Sequence, residues 1–101
     1  MIVYNLSIKI EASVEKDWLH WQLQEHIPDV MATGYFTEYK FYRLLEQDDT
    51  ESATYVVQYF AASLNNYQQY IERNAPLLRQ KIKDKWGDKF VAFRTIMEAV
   101  N

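Results

Sequence analysis

The stretch "ATYVVQYFA", residues 53–61, decides the fold. It lacks glycine and proline and is rich in β-branched and aromatic side chains, so it reads as a strand. Ala53, Tyr55, Val57, Tyr59 and Ala61 fall on one side, and Thr54, Val56, Gln58 and Phe60 on the other. Both sides are largely apolar, whereas a strand with one wet face alternates apolar with polar. This strand is predicted to be covered on both faces.

Upstream, the acidic and polar "EQDDTES" at 46–52 has hairpin-loop composition, and the aromatic-rich "YFTEYKFYRLL" at 35–45 supplies the other arm. Downstream, Ser63 is placed to cap a helix whose apolar positions Leu64, Tyr67, Ile71, Ala75, Leu78, Ile82 and Trp86 step by three or four. Pro76 interrupts that stripe and predicts a bend near Asn74, and Gly87 predicts the stop. The segment "KFVAFRTIMEAV", residues 89–100, reads as a last strand. In it Phe90, Ala92 and Ile96 alternate with Val91, Phe93 and Met97, again apolar on both sides.

At the other end of the chain, residues 2–11 set Ile2, Tyr4, Leu6, Ile8 and Ile10 against Val3, Asn5, Ser7, Lys9 and Glu11, the period of a half-buried strand. A Ser13 cap with Glu15 and Asp17 in the first turn then leads a helix through Trp18, Leu19, Trp21, Leu23 and Ile27. Pro28 removes a helical donor and disfavours helical geometry at Ile27, so a kink or break is predicted there. A short second piece runs to Met31 and ends at Gly34. The order β, α, β, β, α, β predicts an α+β, ferredoxin-like domain over residues 1–101, a four-stranded antiparallel sheet with its helices on one face. The helices cover that face, so the doubly apolar strands predict that an identical subunit covers the other, giving a homodimer.

Composition limits what such a domain does. The 101 residues are 49% hydrophobic and 25% charged, as in an ordinary globular domain, but 16% are aromatic, which calls for a second buried surface or a ring-lined pocket. The chain has no cysteine, which excludes disulfides, a thiolate nucleophile and cysteine-built zinc sites. A net charge of −3 argues against a nucleic-acid partner. The one basic cluster, Arg79, Lys81, Lys83 and Lys85, reads as a solvated helix face. No apolar run approaches the roughly 18 residues of a membrane span, and no secretory leader is evident, so a cytoplasmic protein is expected. With only Gly34 and Gly87 there is no phosphate-cradling loop, and no cofactor is expected.

His26, in "EHIPDVMATGYF" at 25–36, is the residue best suited to proton transfer, because imidazole titrates near neutrality. One turn earlier stands Gln22, which offers a neutral hydrogen bond where a carboxylate would orient the ring. The preferred reading is that His26 packs at the proline kink and bonds a freed carbonyl. His20 and His26 lie about 120° apart around a helix and make a poor metal pair, so no metal site is expected. Trp18 and Trp21 share a helical face and offer a flat wall, with core packing as the plainer explanation. Tyr4, Tyr39, Tyr55 and Tyr59 carry hydroxyls that need partners if buried. Arg43 and Arg94 sit in apolar strands and need either a carboxylate, with Glu38 and Glu98 available, or an anionic ligand.

"MIVYN", the block "WLHWQLQEHIPDVMATGYFTEYKFYRLL", "TYVVQYFA" and "GDKFVAFRTIMEAV" together resemble a family of small bacterial proteins known only as a domain of unknown function. The HIP, ATGxF, VQYF and FVAFRT segments carry the likeness, which spans essentially the whole chain. That family looks like part of the dimeric α/β-barrel superfamily, in which two ferredoxin-like protomers pack their sheets face to face. The superfamily includes cofactor-free monooxygenases, haem-degrading enzymes and ligand-binding modules of transcription regulators, and fold alone does not choose among them. The resemblance implies a ligand site between helices and sheet. The reading that asks least is a non-enzymatic homodimer binding a small apolar or aromatic molecule, or a protein partner, through Tyr4, Trp18, Trp21, Arg43, Tyr59 and Arg94. The alternative is a cofactor-independent monooxygenase-like enzyme with His26 as acid or base. Whether the chain is an enzyme stays open on sequence, and that alternative requires a cavity of about 300 Å³ or more between helices and sheet, with His26 opening into it.

Overall fold

The computed structural model describes residues 1–101. Its strands are β1 (Ile2–Glu11), β2 (Glu38–Arg43), β3 (Ser52–Ala61) and β4 (Phe90–Glu98). They form one antiparallel sheet in the order β2-β3-β1-β4, the ferredoxin-like arrangement. The helices are α1 (Glu15–Trp21), α2 (Ile27–Ala32), α3 (Leu64–Arg73) and α4 (Ala75–Trp86). The two outer strands are shorter than the sequence pattern predicts.

The strands alternate as read, and the structure decides which side of each faces the helices. Ile2, Tyr4, Leu6, Ile8 and Ile10 of β1 and Ala53, Tyr55, Val57, Tyr59 and Ala61 of β3 are buried against the helices. With α-helical Trp18, Trp21, Tyr70, Ala75, Leu78 and Trp86 they make one core. Each large apolar side chain buried there contributes roughly 1.5–3 kcal/mol. Two ring clusters fill it. Tyr4 packs against Phe36, Tyr59, Tyr67 and Tyr70, and Trp18 packs against Phe41 and Tyr55.

Ser63 caps α3 by accepting from the Asn66 N–H at 3.1 Å. Pro76 separates α3 from α4 at Asn74, whose φ of −120° leaves the helical range. Gly87 ends α4 at φ 59°, ψ −122°, a conformation that a side chain disfavours. The expected Ser13 cap is not made: a short 3₁₀ turn, Ala12–Val14, precedes α1 and Val14 takes the cap position without a side-chain bond.

The first helix corrects the expectation most. Pro28 does not break it. The chain instead widens into a π-helical turn, Gln22–His26, in which the Ile27 N–H reaches back to the Gln22 carbonyl. The wider turn accommodates a proline that cannot donate to Gln24 and whose ring would crowd that carbonyl. The extra residue also changes the register downstream by about 100°. In an unbroken helix Glu25 and Asp29 would lie within about 20° of the Trp18 direction and Ile27 would lie opposite. With the π turn, His26, Ile27 and Val30 are buried, and Glu25 is exposed.

The far sheet face carries no helix. The register aligns Glu38–Phe60–Val3–Met97, Lys40–Gln58–Asn5–Thr95 and Tyr42–Val56–Ser7–Phe93 as rows across it. Phe93 is 67% exposed and Val91 53%. The face is less uniformly apolar than the strands suggest, because its middle row is polar and holds a Gln58 Nε2–H to Asn5 Oδ1 bond of 3.3 Å.

Candidate functional site

Between the helices and the sheet lie two small voids of about 20 Å³ each. One is walled by Trp18, Gln22, Ile82 and Phe90, the other by Tyr4, Val30, Tyr70 and Arg79. Both share Leu6, His26, Tyr59, Ile82 and Arg94. The π turn puts His26 there, alternating parity puts Leu6 and Tyr59 there, and Arg94 faces the helices because it pairs with Leu6 across β1 and β4.

The polar groups on these walls are unusual for so apolar a slot. Gln22 and Tyr59 are each 2% exposed, and neither Gln22 Oε1 nor the Tyr59 hydroxyl has a hydrogen-bond partner. An unmatched buried polar group costs about 1–3 kcal/mol, so a hydrogen-bonding occupant of the slot would be favoured at each; Asp49 Oδ1 and Trp86 Nε1, away from the slot, are also buried without a partner. His26 lies stacked on Trp21, ring centroids 5.1 Å apart. It is held by stacking and burial, with no hydrogen bond to a carbonyl freed at the proline. Burial pulls its pKa from 6.5 down to about 4; Asp29 opposes that and Lys81 adds to it. At neutral pH the imidazole is uncharged. Burial likewise keeps the Tyr59 phenol protonated, pushing its pKa well up, with Tyr70 and Tyr4 adding to the effect.

Among the residues singled out from sequence, Tyr4, Trp18, His26, Tyr59 and Arg94 line the slot. Trp21 does not. It stands on the outer side of His26, meets Trp86 edge-on and lines an open groove with Glu25, Lys85 and His20. Arg43 is also elsewhere. Its guanidinium bonds Asp49 at 2.7 Å and lies 3.9 Å from Glu15, which accepts the Tyr55 hydroxyl at 2.6 Å. This network fastens the β2–β3 loop to α1, and neither Glu38 nor Glu98 is the arginine's partner. Gln22 and Arg79 are slot residues that sequence reading undervalued. For Arg79 the available signal is its position bordering the apolar stripe, between Leu78 and Ile82. No three His, Asp or Glu side chains gather closely enough to hold a metal ion, and no helix is long and apolar enough to cross a membrane.

The sequence matches, over residues 1–100, the family described as a domain of unknown function, DUF4286. The chain belongs to the DUF4286 family. No curated protein sequence matches this DUF4286 chain. Solved structures resemble it across their length at low identity. An ethyl tert-butyl ether d (EthD) family protein of Bacillus halodurans is 14% identical with a TM-score of 0.70, covering 99% of this chain and 100% of that one. SnoaB, a cofactor-independent oxygenase from Streptomyces nogalater, is 10% identical with a TM-score of 0.68, covering 99% and 94%. A dimeric ferredoxin-like protein from an uncultured marine organism is 14% identical with a TM-score of 0.61, covering 100% and 96%. At such identities the likeness establishes the ferredoxin-like fold of this DUF4286 protein and leaves its chemistry to its own residues.

Proposed function

We propose that the protein is a homodimer, joined through its helix-free sheet face, that binds a small apolar or aromatic molecule in the slot between helices and sheet. The observation that carries the binding reading is the pair of buried, unpartnered acceptor and hydroxyl groups, Gln22 Oε1 and Tyr59 OH, beside an uncharged His26 in an apolar wall. A ligand with one or two hydrogen-bonding atoms on an apolar body would meet both requirements. The dimer reading is supported by Phe93, Val91, Met97 and Tyr42, large side chains exposed on the far face, and by the dimeric description of a structural neighbour. Voids of about 20 Å³ hold little more than a water each, so binding requires the slot to widen by rotation of lining side chains.

The likeness to SnoaB favours a second reading, cofactor-independent oxygenation. Two observations weigh against it. The slot falls far short of the roughly 300 Å³ that a substrate needs, the groove of about 380 Å³ that His26 also borders being an open one lined mostly by charged side chains, and an imidazole with a pKa of about 4 is a weak general base at neutral pH. Native mass spectrometry of the gently purified protein tests the proposal. A dimer carrying additional small-molecule mass is the expected spectrum. A monomer would overturn the role given to the sheet face.

A further inference from the structure

The mouth of the slot carries a charge arrangement that neither packing nor the family assignment explains. Arg94 on β4 and Arg79 on α4 line the same void from opposite walls. Arg79 Nη2–H donates to the Tyr4 hydroxyl at 3.0 Å. No carboxylate lies within ion-pairing distance of either guanidinium, although every other close ion pair in the chain is made by Arg43, Lys81 or Lys89. Both side chains are exposed, so water solvates their charges, and the void they share is lined by two guanidiniums and no acid. Glu98, four positions along β4 from Arg94, does not bridge to it.

Around this pair the surface is ring-lined and apolar. Tyr67 packs on Tyr4 at 5.3 Å between ring centroids, and Ile96, exposed on the helix side of β4, is the strand partner of Tyr4. Planar, charged guanidiniums recognise carboxylates through paired N–H donors, and flat apolar surface beside them accommodates the body that bears the acid.

We infer that Arg79 and Arg94 form an anion clamp at the slot mouth, and that the ligand is a small aromatic or aliphatic carboxylate, its acid group between the two guanidiniums and its body on Tyr67, Ile96 and the slot behind. The inference deepens the ligand-binding reading and rests on it. The clamp is on the helix side of the sheet, so it stays accessible when the far face is covered by a second subunit.

Benzoate and its uncharged counterpart benzamide separate the two layers of the argument. In amide NMR titrations of the intact protein, benzoate is expected to shift β4 resonances around Arg94 and α4 resonances around Arg79, and benzamide to bind at least tenfold more weakly. Arg79→Gln and Arg94→Gln are each expected to weaken benzoate by about tenfold or more while leaving the remaining spectrum unchanged. Equal binding of both compounds near Tyr59 and His26, insensitive to the arginine variants, would overturn the clamp and keep the slot. Inorganic phosphate binding in preference to benzoate would also overturn the carboxylate assignment. The absence of any shift with either aromatic compound up to roughly 10 mM would overturn both readings.

Discussion

Acidification is expected to destabilise this fold through one side chain, His26. Burial lowers its pKa from 6.5 to about 4, against the attraction of Asp29 and with the repulsion of Lys81. The unfolded chain takes up its proton near 6.5. Between these values the unfolded state binds a proton that the folded state refuses, so stability falls as pH falls. The contribution is complete above about pH 6.5, declines through the window, and has nothing further to lose below about pH 4. At roughly 1.4 kcal/mol per pH unit the full loss is about 3 kcal/mol, of which about 2.5 is spent by about pH 4.5. That is a large share of the roughly 5–15 kcal/mol that holds a domain together. The assay is urea unfolding from about pH 7 to about pH 4.5 at fixed protomer concentration, comparing the protein with its His26→Phe variant. Phenylalanine keeps a ring against Trp21 and removes the titration. Carboxylates titrate alike in both proteins, so the difference between the two curves isolates the imidazole. The variant is expected to gain about 2.5 kcal/mol relative to the parent on going to the acid end. Parallel curves would refute the account of a buried, uncharged histidine.

Three further outcomes are expected. Phe93→Glu puts a charge on the helix-free face and should convert the dimer to a folded monomer, read by native mass spectrometry beside circular dichroism; a persisting dimer would place the interface elsewhere. Gly87→Ala should cost about 1–3 kcal/mol in thermal unfolding, from backbone strain alone, because φ is 59° while a Cβ there meets nothing within 4 Å; an unchanged midpoint would contradict that. Tyr59→Phe removes a hydroxyl without a partner and should leave stability unchanged or slightly higher, whereas Tyr55→Phe gives up the 2.6 Å bond to Glu15 and should cost about 1 kcal/mol; the reverse order in urea midpoints would show that Tyr59 serves the fold.

Much of the site was within reach of the sequence. Tyr4, Trp18, His26, Tyr59 and Arg94 could be singled out by residue type and strand context, but which parity of each strand faces the helices could not be read. Arg43 and Arg94 looked alike as arginines in apolar strands. The structure separates them: Arg43 reaches the loop that brings Asp49 to it, and Arg94 lines the voids, exposed and without an ion pair. The difference lies in a loop conformation, which has no local signature. Proline 28 gave a correct warning and an incomplete outcome, since a lost donor can be accommodated by breaking the helix or by widening it.

The sequence by itself determined the strands, the helices and their order, because these follow from repeats of two and of three to four residues that a chain displays before it folds. It also showed that both parities of the last strand carry large apolar side chains. Only the tertiary structure decided what converges. Arg79 meets Tyr4 across 75 positions of sequence, and His26 turns inward because a single widened turn rotates the downstream helix. The size of the slot was decided there too: ring packing across four elements closes it to two voids, and no local rule reports the volume left between side chains brought together from distant parts of the chain.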